Sequence, residues 1–201
     1  VYCCDLICMR TFLLSLVFVI GFVQSLCAQS QERDSLKQLL KTQPEDTTRI
    51  NLLLELAYTY YFSKPDSCLS FADEALSLSR KLRRTTAQLE ALNCAGEALR
   101  FLGDYPRSLK MQMEALELSR KMKDMNSEIR ALNFIGSTYT DFREYRLGIE
   151  YLRHSIELNK KAGSPLMGSF ALSGIGNAYD LLKMPDSALY YQRLASNTCE
   201  R

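Results

Sequence analysis

One string recurs along this chain at a fixed interval. Glu74-Ala-Leu-Ser-Leu-Ser-Arg-Lys81 returns 40 residues later as Glu114-Ala-Leu-Glu-Leu-Ser-Arg-Lys121. It comes back once more as His154-Ser-Ile-Glu-Leu-Asn-Lys-Lys161, and in degraded form from Leu194 to Arg201. A second string keeps the same beat: Ala91-Leu-Asn93, Ala131-Leu-Asn133 and Ala171-Leu-Ser173, each followed three residues later by Gly96, Gly136 and Gly176. A period of this size means stacked copies of one supersecondary unit, each relying on its neighbours to bury its apolar face. It also points to a type of function, because solenoids work by displaying an extended binding surface.

The unit reads as a helical hairpin. In the second copy, Leu89, Leu92, Ala95, Gly96 and Leu99 fall on one helical stripe. Gly103-Asp-Tyr-Pro106 interrupts it, with a glycine suited to a left-handed helix end and a proline suited to a first turn. Ser108, Leu109, Met111, Ala115, Leu116 and Leu118 form a second amphipathic stripe that ends at Arg120-Lys121. Basic residues recur there in other copies, at Arg80-Lys81 and Lys160-Lys161, where they complement the helix dipole. The expected organisation is a linker and N-terminal helix over 29–46, then repeats over 47–83, 84–123, 124–163 and 164–201.

Small residues carry the packing. Mid-helix glycine costs about 1 kcal/mol relative to alanine. Gly96, Gly136 and Gly176 at one register therefore imply a partner helix too close for a side chain. Ala57, Ala75, Ala115, Gly148, Ser155, Ala188 and Ala195 are the matching small positions. All ten are read as packing devices.

This small-residue and tyrosine signature resembles the tetratricopeptide repeat over residues 47–201. The third copy fits best, with Ile135-Gly136, Tyr139, Gly148, Leu152 and Ser155. The fourth follows through Ile175-Gly176, Tyr179, Ala188 and Ala195. The second has Leu99 where the family has tyrosine and Gln112 where it has an aromatic. The first uses Leu56-Ala57, Tyr60, Cys68, Ala72 and Ala75, with a hairpin loop one residue shorter. The resemblance implies an all-α, right-handed α-solenoid of helix-turn-helix repeats. The period of 40 exceeds the family's usual 34 or so, so helices near 17 or 18 residues are expected. Long-period arrays of this kind resemble the exported N-terminal parts of bacterial signalling proteins.

The same resemblance implies a ligand groove along the first helices, with protein or peptide as its occupant. Carried over by offset from the glycine position, it gives Tyr58 and Tyr61 in the first copy and Glu90, Asn93, Glu97 and Arg100 in the second. The third contributes Arg130, Asn133, Ser137 and Asp141, and the fourth Ser173, Asn177 and Asp180. Asn93 and Asn133 are equivalent, and an amide there can donate to and accept from an extended backbone. The competing reading leaves these residues as solvated faces or inter-repeat bonds. The set contains no lysine, which argues against the two-lysine clamp for chaperone tails.

Ahead of the array lies a different object. Met9-Arg10 begins it, Thr11 to Leu26 is almost wholly apolar, and Cys27-Ala28 precedes the polar Gln29-Ser-Gln-Glu-Arg33. That order is a signal peptide, 9–28, cleaved near Ala28 and leading to the periplasm or cell envelope. A retained anchor is the alternative, though the apolar run is short of the roughly 20 residues that span a bilayer. Residues 1–8 read as an upstream extension, and the stop at Arg201 as a truncated array.

Composition excludes more than it assigns. A net charge of +2 gives no basic face for nucleic acid. One histidine, and Cys68, Cys94 and Cys199 at no ligand spacing, give no metal site. His154 has no catalytic partner, and Gly174-Ile-Gly176 follows no strand, so neither a base nor a phosphate loop is expected. The tyrosines at 139, 145, 151, 179, 190 and 191 read as packing. No enzyme and no cofactor are expected. The expectation is a protein–protein interaction module of the bacterial envelope, the sensory or scaffolding part of a signalling protein. The alternative is a freestanding periplasmic scaffold or assembly factor.

Overall fold

The structure, a computed structural model, describes residues 33–199. The expected extension over 1–8, the leader with its cleavage near Ala28, and residues 200–201 lie outside the described residues, as does the side chain of Cys199. The chain divides into two compact units, 1–44 and 45–201. In the first, helix α1 (33–42) ends where the Gln43 N–H bonds the Leu39 carbonyl at 3.1 Å.

The second unit is a run of hairpins. Helices α2 (Thr47–Tyr60) and α3 (Pro65–Lys81) form the first, α4 (Thr85–Phe101) and α5 (Tyr105–Met122) the second. The third is α6 (Met125–Asp141) and α7 (Tyr145–Ala162), the fourth α8 (Pro165–Leu181) and α9 (Pro185–Cys199). Asp46, Asp104, Asp124 and Ser164 each cap a helix by accepting the N–H three residues on. Pro65, Pro106 and Pro165 sit in first turns, where a missing N–H costs nothing.

Turns are set by backbone hand. Residues 83, 103, 123, 143, 163 and 183 all have positive φ, one every 20 residues, and only two of them are glycine. Within the second, third and fourth hairpins the next N–H closes back across the helix end: Asp104 to Leu99, Glu144 to Tyr139 and Met184 to Tyr179, at 2.8–2.9 Å. The first hairpin has no left-handed residue, and Lys64 bonds Tyr60 at 2.9 Å instead. That missing residue is the one by which its loop is shorter.

The small positions interlock. A Cβ added to Gly136 would lie 2.6 Å from Leu152 Cγ and 3.0 Å from the Gly148 carbonyl. At Gly96 it would meet Gln112 Cγ at 2.8 Å, and at Gly176 Gln192 Cγ at 3.0 Å. Ala57, Ala75, Ala115, Ser155, Ala188 and Ala195 are all buried. Each first helix packs on the next first helix (α2 on α4, α4 on α6, α6 on α8), while among the described residues successive second helices lie farther apart, α3 and α5 meeting through the Arg80–Glu114 ion pair. One continuous surface is thus built from first helices alone. Tyr139 stacks on Tyr151 and Tyr179 on Tyr191, while Tyr190, 62% exposed, packs only edge to face on Tyr191 with ring centroids 5.2 Å apart. It lies on the open side of α9, where no described element covers it.

Candidate functional site: a groove on the first helices

Two adjoining hollows open on that surface. The first, of about 400 Å³, is lined by Tyr58, Tyr61, Phe62, Asn93, Cys94, Arg130, Asn133, Phe134, Leu166, Met167 and Phe170. The second, about 430 Å³, is lined by Arg100, Ser137, Thr140, Asp141, Phe170, Ser173, Gly174, Asn177, Asp180 and Leu181. Every one belongs to a first helix or the turn that ends it. Phe170 is common to both and meets Phe134 edge to face, with ring centroids 6.3 Å apart.

Eleven of the thirteen groove residues expected from sequence line these hollows: Tyr58, Tyr61, Asn93, Arg130 and Asn133 in the first, and Arg100, Ser137, Asp141, Ser173, Asn177 and Asp180 in the second. Two do not. Glu90 lies outside both linings, although its charge helps push the Tyr58 phenol and the Cys94 thiol upward in pKa. Glu97 is buried outside both linings, with its carboxylate already engaged. Its carboxylate accepts from Tyr61 Oη at 2.9 Å, from Arg100 Nε and Nη2 at 3.0 and 2.9 Å, and from Gln112 Nε2 at 3.3 Å. It is a structural anchor. The aromatic lining of Phe62, Phe134 and Phe170 was missed, because single phenylalanines on a mixed helix face look like core.

Arg100 ties the floor together. Besides Glu97 it holds Asp141 of the next hairpin through Nη1 at 2.5 Å, and it lies 4.5 Å from the centre of the Phe101 ring. Burial opposes its charge, but the Glu97 and Asp141 carboxylates more than offset that, so its pKa is raised. Burial, reinforced by Glu97, pushes the Tyr61 phenol upward too. Cys94 is raised to about 11, chiefly by burial, and Cys68 to about 12 for the same reason. Both are free thiols. The groove therefore presents protonated, unreactive sulfur at neutral pH.

The asparagines are the unusual feature. Asn93 is 5% exposed and Asn133 1% exposed, and the side-chain oxygen of each is buried without a hydrogen-bond partner. Asn133 Nδ2 donates to the Met167 carbonyl at 3.3 Å, and both asparagines belong to the lining of the first hollow. Part of the inter-repeat bonding reading thus holds for Asn133, but no such bond satisfies either oxygen. An unpaired buried amide oxygen costs about 1–3 kcal/mol. Two of them, one repeat apart, belong to residues that line the same hollow. Among the described residues no group of three or more His, Cys, Asp or Glu side chains could hold a metal ion.

Solved structures share this architecture. RapI in its apo form superposes with a TM-score of 0.69 at 17% identity, covering 82% of this chain and 60% of that one. A Rap protein complexed with Competence and Sporulation Factor gives 0.75 at 14% identity, covering 88% of this chain and 50% of that one. A putative kinesin light chain of Podosopora anserina, with nearly identical TPR-like repeats, gives 0.70 at 12% identity, covering 87% and 88%. The fold is that of a tetratricopeptide-like repeat protein. This chain spans little more than half the length of the Rap proteins it matches. No protein-family model matches the sequence, and no curated protein matches it. The tetratricopeptide-like solenoid implied by the small-residue and tyrosine signature is the one observed.

Proposed function

We propose that this chain is a protein–protein interaction module, not an enzyme, and that it holds an extended polypeptide segment along its first-helix groove. The observation that carries the reading is the pair of unsatisfied, buried oxygens on Asn93 and Asn133. A strand laid along the groove brings backbone N–H groups to both, which binds main chain while leaving side-chain choice to the flanking hollows. The Rap structure with Competence and Sporulation Factor is a fold relative that holds a partner, which supports reading such an array as a binder.

The setting we propose is the bacterial envelope, with the array as the sensory or scaffolding part of a signal-transduction protein. The leader-like order of residues 9–28 supports export. Fusing the chain to a phosphatase reporter active only outside the cytoplasm tests this, and an inactive fusion would reject it. For the groove, Asn93→Ala with Asn133→Ala should abolish peptide capture with helicity unchanged by circular dichroism. Undiminished capture would reject the asparagine grip.

A further inference from the structure

The two hollows differ in charge. In the aromatic one the lining has a single charged residue, Arg130, which makes no ion pair among the described residues. In the polar one Arg100 faces Asp141 and Asp180. The guanidinium is already committed, with three of its nitrogens on Glu97 and Asp141. Asp180 is exposed and has no ion-pair partner among the described residues. One cation against two lining carboxylates, with Glu97 also bound to that cation, leaves this end net acidic.

Helix direction adds to the imbalance. Arg100, Asp141 and Asp180 all occupy the last turns of their helices, α4, α6 and α8. The helix dipole places partial negative charge at those ends, which favours a cation. Leu166 and Met167 of the aromatic hollow sit in the first turn of α8, the opposite pole, while its Tyr58 lies in the last turn of α2, so the polar hollow has the larger share of helix C-termini. A cation is therefore favoured at the polar end and disfavoured beside Arg130.

We propose that the groove selects an extended peptide segment carrying a bulky apolar side chain and a basic group, and binds it in one direction. The apolar side chain fills the Tyr58–Phe170 hollow, and the lysine, arginine or α-ammonium group lies against Asp141 and Asp180. Phe170, the wall shared by the hollows, separates the two groups. Reversing the segment sets its cation beside Arg130 and its apolar side chain among carboxylates, so charge fixes orientation. The inference rests on the groove being an extended-peptide site, the reading carried by Asn93 and Asn133.

The test is selection of a random dodecapeptide display library on the full chain, followed by fluorescence anisotropy of the consensus peptide. The expected pool shares one bulky apolar and one basic residue in a single order at a fixed spacing. Asp180→Asn should weaken the consensus peptide roughly threefold to tenfold. Asp180→Lys should shift the selected residue from basic to acidic. A pool with acidic or neutral residues at that place, both orders in equal measure, or a preference unmoved by either Asp180 variant overturns the inference but spares the peptide groove. No enrichment over a protein-free surface, or a consensus peptide that binds the Asn93→Ala/Asn133→Ala variant undiminished, removes the peptide reading itself.

Discussion

Two successive junctions of the array solve one packing problem in opposite chemistry. Between the second and third hairpins, Gln112 of α5 lies fully buried under Gly96. Its carbonyl accepts from Thr138 Oγ1 at 2.9 Å and its amide donates to Glu97. Ser108 joins them, donating to the Gly96 carbonyl at 2.7 Å with its oxygen 3.3 Å from that of Thr138. Forty residues later the same positions hold Leu152, Ala178 and Gly148. There Leu152 lies between Gly136 and Gly174 and joins Ile149, Ala171, Ile175 and Ala178 in a dry cluster. The backbone geometry is repeated while the adhesive changes. The hairpin stack asks for volume and close approach at these sites, and a satisfied polar network supplies both as well as hydrocarbon does.

The largest effect is expected where hydrocarbon has no substitute. Leu152→Ala should cost about 2–5 kcal/mol in urea unfolding, since the glycines around it have no side chains to fill the void. A cost under about 1 kcal/mol would mean the apolar junction collapses freely, which would break the comparison. At the polar junction Glu97→Ala should cost about 3 kcal/mol, because Arg100 and Gln112 lose their buried acceptor while Asp141 keeps only part of the guanidinium satisfied. Its thermal midpoint should fall further than that of Asp141→Ala.

A smaller effect sharpens the equivalence. Gln112→Leu alone should cost about 1 kcal/mol, the net worth of its bonds to Thr138 and Glu97. Adding Thr138→Ala, which copies the Leu152–Ala178 arrangement, should recover most of that loss, and a double-mutant cycle measures the coupling. Strict additivity would show that the two residues do not act as a pair.

The junction of the first two hairpins uses a third adhesive, sulfur, with Cys68 Sγ 4.0 Å from the Cys94 carbonyl. Both thiols are raised on folding, to about 12 and about 11, so the unfolded chain loses their protons first. Stability should thus be level below pH 9 and decline as pH rises from 9 toward 11. The Cys68→Ala/Cys94→Ala variant should show a flatter profile over pH 9 to 10. Smallest of all, Lys183→Gly should stabilise by about 0.5 kcal/mol by relieving a left-handed lysine, visible as a slightly higher thermal midpoint.

Much of this was legible in the sequence for a physical reason. The repeat period and the small residues are dictated by backbone approach, and backbone approach tolerates little substitution, so Gly136 and Gly148 announce themselves. First-helix offsets placed Asn93, Asn133 and Asp180 on one surface because 40-residue translation preserves register. What stayed hidden depends on partners across hairpins. Glu97 reads as a solvated carboxylate until Tyr61, Arg100 and Gln112 are seen to converge on it. Gln112 reads as a departure from the family pattern until Thr138 is found to meet it. No spacing rule reveals that Asn93 and Asn133 have unpaired oxygens, since that depends on which donors are missing from the neighbourhood.

The left-handed residues described above have a practical consequence. Arg83, Lys123, Arg143 and Lys183 are exposed, stand outside regular helix, and are basic. Proteases prefer exposed turns, and trypsin cuts after arginine and lysine. Brief digestion should therefore cleave this chain at its own seams, releasing 84–123 as an intact hairpin and 124–143 as a single helix. The points where the backbone changes hand are the points at which the molecule can be taken apart.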